Sequence, residues 1–181
     1  MRAAIIVIDM LNDFVTGALK VERAARIIPN IKRLLEHFRG RGVPIIYAND
    51  SHLPEVDQEF RIWPPHAVRG TEGAKVIEEL QPAKQDYVIQ KRRYSAFYQT
   101  DLDLLLHELG VDTLILVGLV TDVCIQHTAA DAFFRGYRII IPEDCVETLT
   151  EEAQRRALEY LKRIYGCEIT TSSKLMEEGI T

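Results

Sequence analysis

Runs of consecutive apolar residues alternate along this chain with stretches in which apolar residues recur every three or four positions. Ala3–Ile8 and Thr113–Gly118 are continuous apolar or β-branched runs, the pattern of strands buried on both faces. Val43–Ala48, Asp86–Gln90, Tyr137–Ile141 and Glu168–Thr171 read as further strands. Between them, Ala24, Ile27, Ile28, Ile31, Leu34, Leu35 and Phe38 fall at helical spacing, with Gly40 and Gly42 as the stop. Thr71 predicts a capped short helix to Leu80, and Thr100 an N-cap for an amphipathic helix over Asp101–Leu109 that Gly110 ends. A helical pattern starts just past Gly118, another opens at Thr150 with Glu151 and Glu152 and runs to about Tyr165, and a last helical turn closes the chain. The loops Asn12–Val21 and Ser51–Gly70 show no period. Strands alternating with helices predict an α/β fold: a three-layer αβα, Rossmann-like domain over residues 1–181, with a six-stranded, mostly parallel sheet and right-handed crossovers.

Charge narrows the classes of partner. A net charge of −5 and a pI near 5.6 argue against nucleic acid, which needs a clustered basic face, and Lys91-Arg92-Arg93 is too short a run to supply one. The apolar start of the chain meets Asp9 and Asp13, so it reads as a strand rather than a signal or a membrane span. Cys124, Cys145 and Cys167 are an odd number of cysteines in a chain large enough not to need disulfides, which predicts a reducing cytoplasm.

Polar residues gather at the ends of the predicted strands. In a parallel sheet the C-terminal tips of the first, third and fourth strands carry Asp9, Lys91 and Cys124, and active sites of open α/β sheets form at such tips. A cysteine in the first turn of a helix is favoured as thiolate by the helix dipole, with a carboxylate to take its proton, an ammonium to hold the anion and backbone N–H groups as an oxyanion hole. Each of the three also fits a bland role: a packing cysteine, a loop-capping aspartate, a solvated lysine. A second constellation lies in the twenty-residue loop Ser51–Gly70, where Asp50 and His52 are followed by Glu59 and His66. Two imidazoles with carboxylates suit a zinc-like divalent ion, but a two-histidine loop is more often a set of surface polar residues, and no CxxC or HExxH pattern strengthens the metal reading. His37, His107 and His127 read as helix-face residues, and Cys145 and Cys167 as packing. No G-x-G-x-x-G follows the first strand, which excludes a dinucleotide site of that kind.

The blocks IVIDMLNDF, DSH, WPPHAVRGTEGA, KRRYSAFYQTDLD and GLVTDVCIQHTAADAFFRGY, spread over nearly the whole chain, resemble the isochorismatase-like cysteine hydrolases, and within them the nicotinamidases. The resemblance implies a catalytic set at Asp9, Lys91 and Cys124, a cis peptide at Leu119-Val120, and an oxyanion hole from the N–H groups of Val120 and Cys124. It implies a divalent metal, often zinc, on Asp50, His52 and His66 with Glu59 as a further ligand, and no organic cofactor. Phe14, Trp63 and Tyr94 fall where the family lines the substrate ring. The implied reaction is hydrolysis of nicotinamide to nicotinate and ammonia through a cysteine thioester, in a homo-oligomer that binds a small amide and neither nucleic acid nor membrane. Related enzymes hydrolyse N-carbamoyl compounds and other small amides, and isochorismatases cleave a vinyl ether without the cysteine; Cys124 argues against the last. A non-catalytic binding module of the same fold is the reading from a different class.

Overall fold

Residues 2–180 are described in the computed structural model, and their apolar runs make a fully parallel sheet. The elements are β1 (Ala3–Ile8), α1 (Asn12–Val15), α2 (Ile28–Arg39), β2 (Ile45–Asp50), β3 (Tyr87–Lys91), α3 (Leu102–Glu108), β4 (Thr113–Leu119), α4 (Gln126–Phe134), β5 (Arg138–Pro142), β6 (Val146–Glu147), α5 (Glu151–Tyr165), β7 (Glu168–Thr170) and α6 (Ser172–Glu178). Strand order is β3-β2-β1-β4-β5-β7, with β6 paired to β4 beyond the reach of β5. The sheet therefore has seven strands among the described residues rather than the six expected. The extra one is two residues long, too short to leave a period in the sequence.

Alternate residues of each strand serve opposite faces, as the pleat requires. Ile5, Val7, Tyr47, Ile115 and Val117 pack against Ile31, Leu34, Leu35 and Phe38 of α2 and Leu175 of α6. Ile6, Ile8, Ile46, Leu114 and Leu116 pack against Leu102 and Leu106 of α3, Ala129 and Ala132 of α4, and Leu161 of α5. Both faces are covered, which is why β1 and β4 are apolar throughout.

Several local expectations shift for identifiable reasons. The helix expected from Ala24 is a 3-10 turn over Ala24–Arg26 followed by α2, because Pro29 stands in the first turn of α2 and has no N–H to continue a helix from upstream. No helix runs from Thr71 to Leu80: two 3-10 turns, Glu72–Ala74 and Glu78–Leu80, flank an extended piece whose backbone bonds instead to residues 10–12, with Ile77 N donating to Met10 O and Asn12 N donating to Lys75 O. Thr100 is not the N-cap of α3; Asp101 holds that position, and the Thr100 hydroxyl donates to Ala96 O at 2.5 Å. Asn12–Val15, expected as loop, forms one helical turn. Thr150 does cap α5, accepting from Ala153 N at 3.1 Å, and Gly166 ends it in left-handed backbone. No helix among the described residues is long and apolar enough to cross a membrane.

Gly118 sets how closely β1 and β4 approach at the tip. It lies opposite Ile8, has φ +115°, and a Cβ there would sit 2.0 Å from the Ile8 carbonyl oxygen. Backbone cannot yield to that contact, so Gly118→Ala is expected to cost more than about 2 kcal/mol in denaturant unfolding. A midpoint shift worth less than about 0.5 kcal/mol, the range of an indifferent surface change, would refute the close-packed tip.

Candidate active site

The parallel register brings the strand tips together. Asp50 and Lys91 are direct neighbours at the ends of β2 and β3, and Ile8 at the end of β1 lies between Ala48 and Gly118. Asp9 follows in left-handed backbone, φ 54°, a conformation uncommon outside glycine that turns its carboxylate across the tips. Its Oδ1 accepts from Asp50 N at 2.8 Å, and its Oδ2 stands 2.8 Å from Lys91 Nζ. Lys91 Nζ also donates to Asp50 Oδ1 at 2.6 Å and lies 3.5 Å from Cys124 Sγ. All four side chains are buried. Asp9, Lys91 and Cys124 thus meet as the sequence predicts, with Asp50 as a fourth member.

Cys124 is reached differently from the expectation. The Leu119-Val120 peptide is cis, and Thr121–Ile125 forms a π-turn that precedes α4, so the cysteine stands before the α-helix rather than in its first turn. Burial works against the thiolate that the sequence reading favours. Burial pushes the Cys124 thiol well above its ordinary pKa; Lys91 opposes the shift, while Asp9 and Asp50 add to it. Burial and the Asp50 charge also raise Asp9 to about 6, against the lowering effect of Lys91. Lys91 behaves in the other sense: burial opposes its charge, but Asp50 and Asp9 together hold its pKa well above the usual lysine range. The surroundings thus favour an ammonium on Lys91 and a protonated thiol, beside a carboxylate raised to about 6 whose Oδ2 has no partner in hydrogen-bond alignment.

The loop after β2 brings Asp50, His52, Glu59 and His66 into one buried cluster, with one ligand-type atom of each within 4.8 Å of all the others. His52 Nε2 is 3.5 Å from Asp50 Oδ2 and 3.9 Å from Glu59 Oε1, and His66 Nε2 is 3.9 Å from the same Glu59 oxygen. Both imidazoles are held from behind through Nδ1: His52 by Asp57 Oδ2 at 3.1 Å, His66 by Pro64 O at 2.7 Å. His52 Nε2 is buried with no hydrogen-bond partner. Burial and the Asp50 charge push Glu59 up to about 7. A buried, oriented N/O set with an orphaned ring nitrogen and a carboxylate lifted by its neighbours has the chemistry of a divalent-cation site.

Sequence reading missed Asp57, which is fully buried, orients His52, accepts from Leu53 N at 2.7 Å and pairs with Arg92 at 2.5 Å. Its signal was present but unread: an acid inside the histidine loop and an unassigned basic run at Arg92-Arg93. Phe60 was missed too; its ring packs on both His52 and His66. A third omission is the tie behind the nucleophile turn. Thr121 Oγ1 donates to Gln154 Oε1 at 2.6 Å, Gln154 Nε2 donates to Val146 O at 2.9 Å, and Thr148 Oγ1 donates to Asp122 Oδ1 at 2.5 Å.

One cavity of about 230 Å³ opens onto both constellations, lined by Asp9, Asp50, Glu59, His66, Val120 and Cys124. Phe14, Trp63 and Tyr94 form its aromatic wall, where Trp63 Nε1 donates to the Tyr94 hydroxyl at 3.1 Å. The exposed His127 ring packs at a tilt against Tyr94, His107 is exposed and His37 half-buried, all apart from the cluster; Cys145 and Cys167 are buried in the core.

Residues 3–174 match the isochorismatase domain, and the chain belongs to the isochorismatase family of hydrolases. Among solved structures it is similar to N-carbamoylsarcosine amidase from Thermoplasma acidophilum, at 42% identity and TM-score 0.89 over 95% of this chain and 97% of that one. It is similar to nicotinamidase PncA from Bacillus subtilis, at 37% and 0.88 over 94% and 99%. A pyrazinamidase of Pyrococcus horikoshii in complex with zinc matches at 32% and 0.88 over the same shares.

The tie from Gln154 to the nucleophile turn is buried, so cutting it strands polar groups. Gln154→Ala is expected to lower unfolding free energy by about 1–3 kcal/mol. Gln154→Glu keeps an acceptor for Thr121 but loses the donor to Val146 O, and should fall between; equal stability of all three proteins would show that the contacts carry no load.

Proposed function

We propose that the chain is a nicotinamidase-type amidohydrolase that converts nicotinamide to nicotinate and ammonia through a thioester on Cys124. The observation that carries this reading is the opening of the Asp50, His52, Glu59 and His66 cluster onto the same aromatic cavity as Cys124. A flat neutral amide suits that cavity. Among the described residues Lys20 is the one lysine or arginine lining it, already bonded to Glu22, whereas Asp9, Asp50, Glu59 and Asp122 are acids.

Four of the residues divide the work. Asp9 takes the Cys124 proton as sulfur attacks the carboxamide carbon, and the Lys91 ammonium at 3.5 Å stabilises the developing thiolate. The tetrahedral oxyanion rests on the N–H groups of Val120 and Cys124, a stabilisation typically worth about 3–4 kcal/mol per donor. Collapse breaks the carbon–nitrogen bond, and the proton held by Asp9 leaves with ammonia. Asp9 then takes a proton from water as it attacks the thioester, and returns it to sulfur as the acid departs. Asp50, His52, Glu59 and His66 would hold a divalent ion, zinc fitting two imidazoles with carboxylates, and the ion would supply a Lewis acid for the ring nitrogen of the substrate. Phe14, Trp63 and Tyr94 stack and wall the ring.

The reading includes a single domain over residues 1–181, action on free nicotinamide within NAD salvage in a reducing cytoplasm, and a homo-oligomer. A second reading, hydrolysis of an N-carbamoyl compound or another small amide by the same cysteine, is supported by the 42% identity to N-carbamoylsarcosine amidase.

Ammonia release from nicotinamide and from N-carbamoylsarcosine, measured side by side, tests both. Release from nicotinamide is expected, with Cys124→Ala lower by about 10⁴-fold or more; release from the carbamoyl compound alone would replace the first reading by the second. Asp57→Asn is expected to weaken divalent-ion affinity by about 10–100-fold in calorimetric titration, since it frees the His52 ring. Unchanged affinity would remove Asp57, and the orientation argument, from the site.

A further inference from the structure

The chemistry above uses Lys91 and leaves the rest of its basic run aside. Arg92 and Arg93 join Arg69 around a separate cavity of about 300 Å³, completed by Gln90, Tyr98 and Gln99. No residue of this cavity lines the Cys124 cavity, and no carboxylate lines it. The charges are unequally matched. Arg92 Nη2 and Arg93 Nη1 share Asp57 Oδ1, at 2.5 and 3.4 Å, while Arg69 Nε donates to the uncharged Ser51 Oγ at 3.1 Å. Three guanidinium charges against one buried carboxylate leave an excess of two. Asp57 has little more to offer, because its other oxygen already accepts from Leu53 N and faces His52.

We propose that this cavity binds a phosphoryl-bearing small molecule, held by Arg69, Arg92 and Arg93. Guanidinium forks match phosphoryl oxygens two N–H groups at a time, and Arg92 and Arg93 are only 41% and 39% exposed, so their charges are screened less than those of a free surface arginine. The side-chain amides of Gln90 and Gln99 add neutral donors, and the exposed Tyr98 ring offers a flat face beside them. A chain of net charge −5 repels an extended polyanion, so a compact anion that fits within the cavity is the ligand the field selects. The proposal does not depend on which amide Cys124 hydrolyses.

Calorimetric titration of the metal-free protein with sodium pyrophosphate tests it, with ADP as a parallel arm. One saturable site per chain is expected, weakened by added salt, and unaffected by Cys124→Ala. Arg69→Ala and Arg93→Ala should each weaken binding by about tenfold or more, the loss of one charge-assisted hydrogen bond. ADP binding tighter than pyrophosphate, with the difference removed by Tyr98→Ala, identifies a nucleotide-like ligand; equal binding identifies the phosphoryl group alone. Absence of saturation overturns the site, as does parental affinity in both arginine variants, which places the anion elsewhere. Light scattering covers the remaining case: a smaller species in Arg69→Ala, without pyrophosphate binding by the parent, would assign the arginines to an acidic surface of a second copy.

Discussion

A fully buried ammonium at the end of the edge strand β3 is the constraint on which this molecule depends. Lys91 has 0% side-chain exposure, and a lone charge so placed would be expelled or neutralised. It stays because Asp9 and Asp50 reach it from the tips of two neighbouring strands at 2.8 and 2.6 Å. That arrangement requires β1, β2 and β3 to be parallel and in this register, since sliding β3 by one residue would turn Lys91 to the other face. It also requires the left-handed backbone at Asp9 and the close approach that Gly118 permits. Fold and site are thus the same arrangement seen at two scales.

Asp50 joins the two halves of that site. One oxygen holds Lys91, the other lies 3.5 Å from His52, and its backbone N–H steadies Asp9. Behind His52 the chain of contacts continues through Asp57 to Arg92 and Arg93 at the surface. Lys91 stands between Asp9 and Asp50, and Asp57 faces Arg92 and Arg93, so these buried charges have opposite neighbours, with the His52 imidazole between the two groups. Residues 91–93 contribute at both ends of it, which is why a run too short to bind nucleic acid still matters to the architecture.

The parts legible in the sequence were those repeated or backed by several residues. Parallel strands buried on both faces leave unbroken apolar runs, so β1 and β4 were plain, and the polar residues that stop those runs pointed to Asp9, Lys91 and Cys124. Asp50, His52, Glu59 and His66 could be named as a group because they gather in and beside one irregular loop, but it was the family resemblance, not the residue types alone, that implied a metal there. What failed to show were features decided by a single long-range contact. The Thr71–Leu80 segment has a helical composition but bonds to residues 10–12 instead, and β6 exists because two residues meet β4. Asp57 looked like any loop acid until the fold placed His52 on one side of it and Arg92 on the other.

The thiol illustrates how burial reverses a local rule. Position alone argued that Cys124 should be a thiolate, since a helix follows it and a lysine stands 3.5 Å away. But burial penalises an ionised thiol, and the two carboxylates that hold Lys91 charged against the same penalty also repel a thiolate. Burial therefore favours the protonated thiol, and the nearby carboxylate suited to act as base is Asp9, raised to about 6. A base with a lower pKa would hold the proton too weakly, and one with a higher pKa would be occupied at neutral pH. In the proposed reaction the nucleophile is formed when substrate arrives, by a proton transfer from Cys124 to Asp9 that leaves the total charge of the cluster unchanged, because burial works against a stored anion.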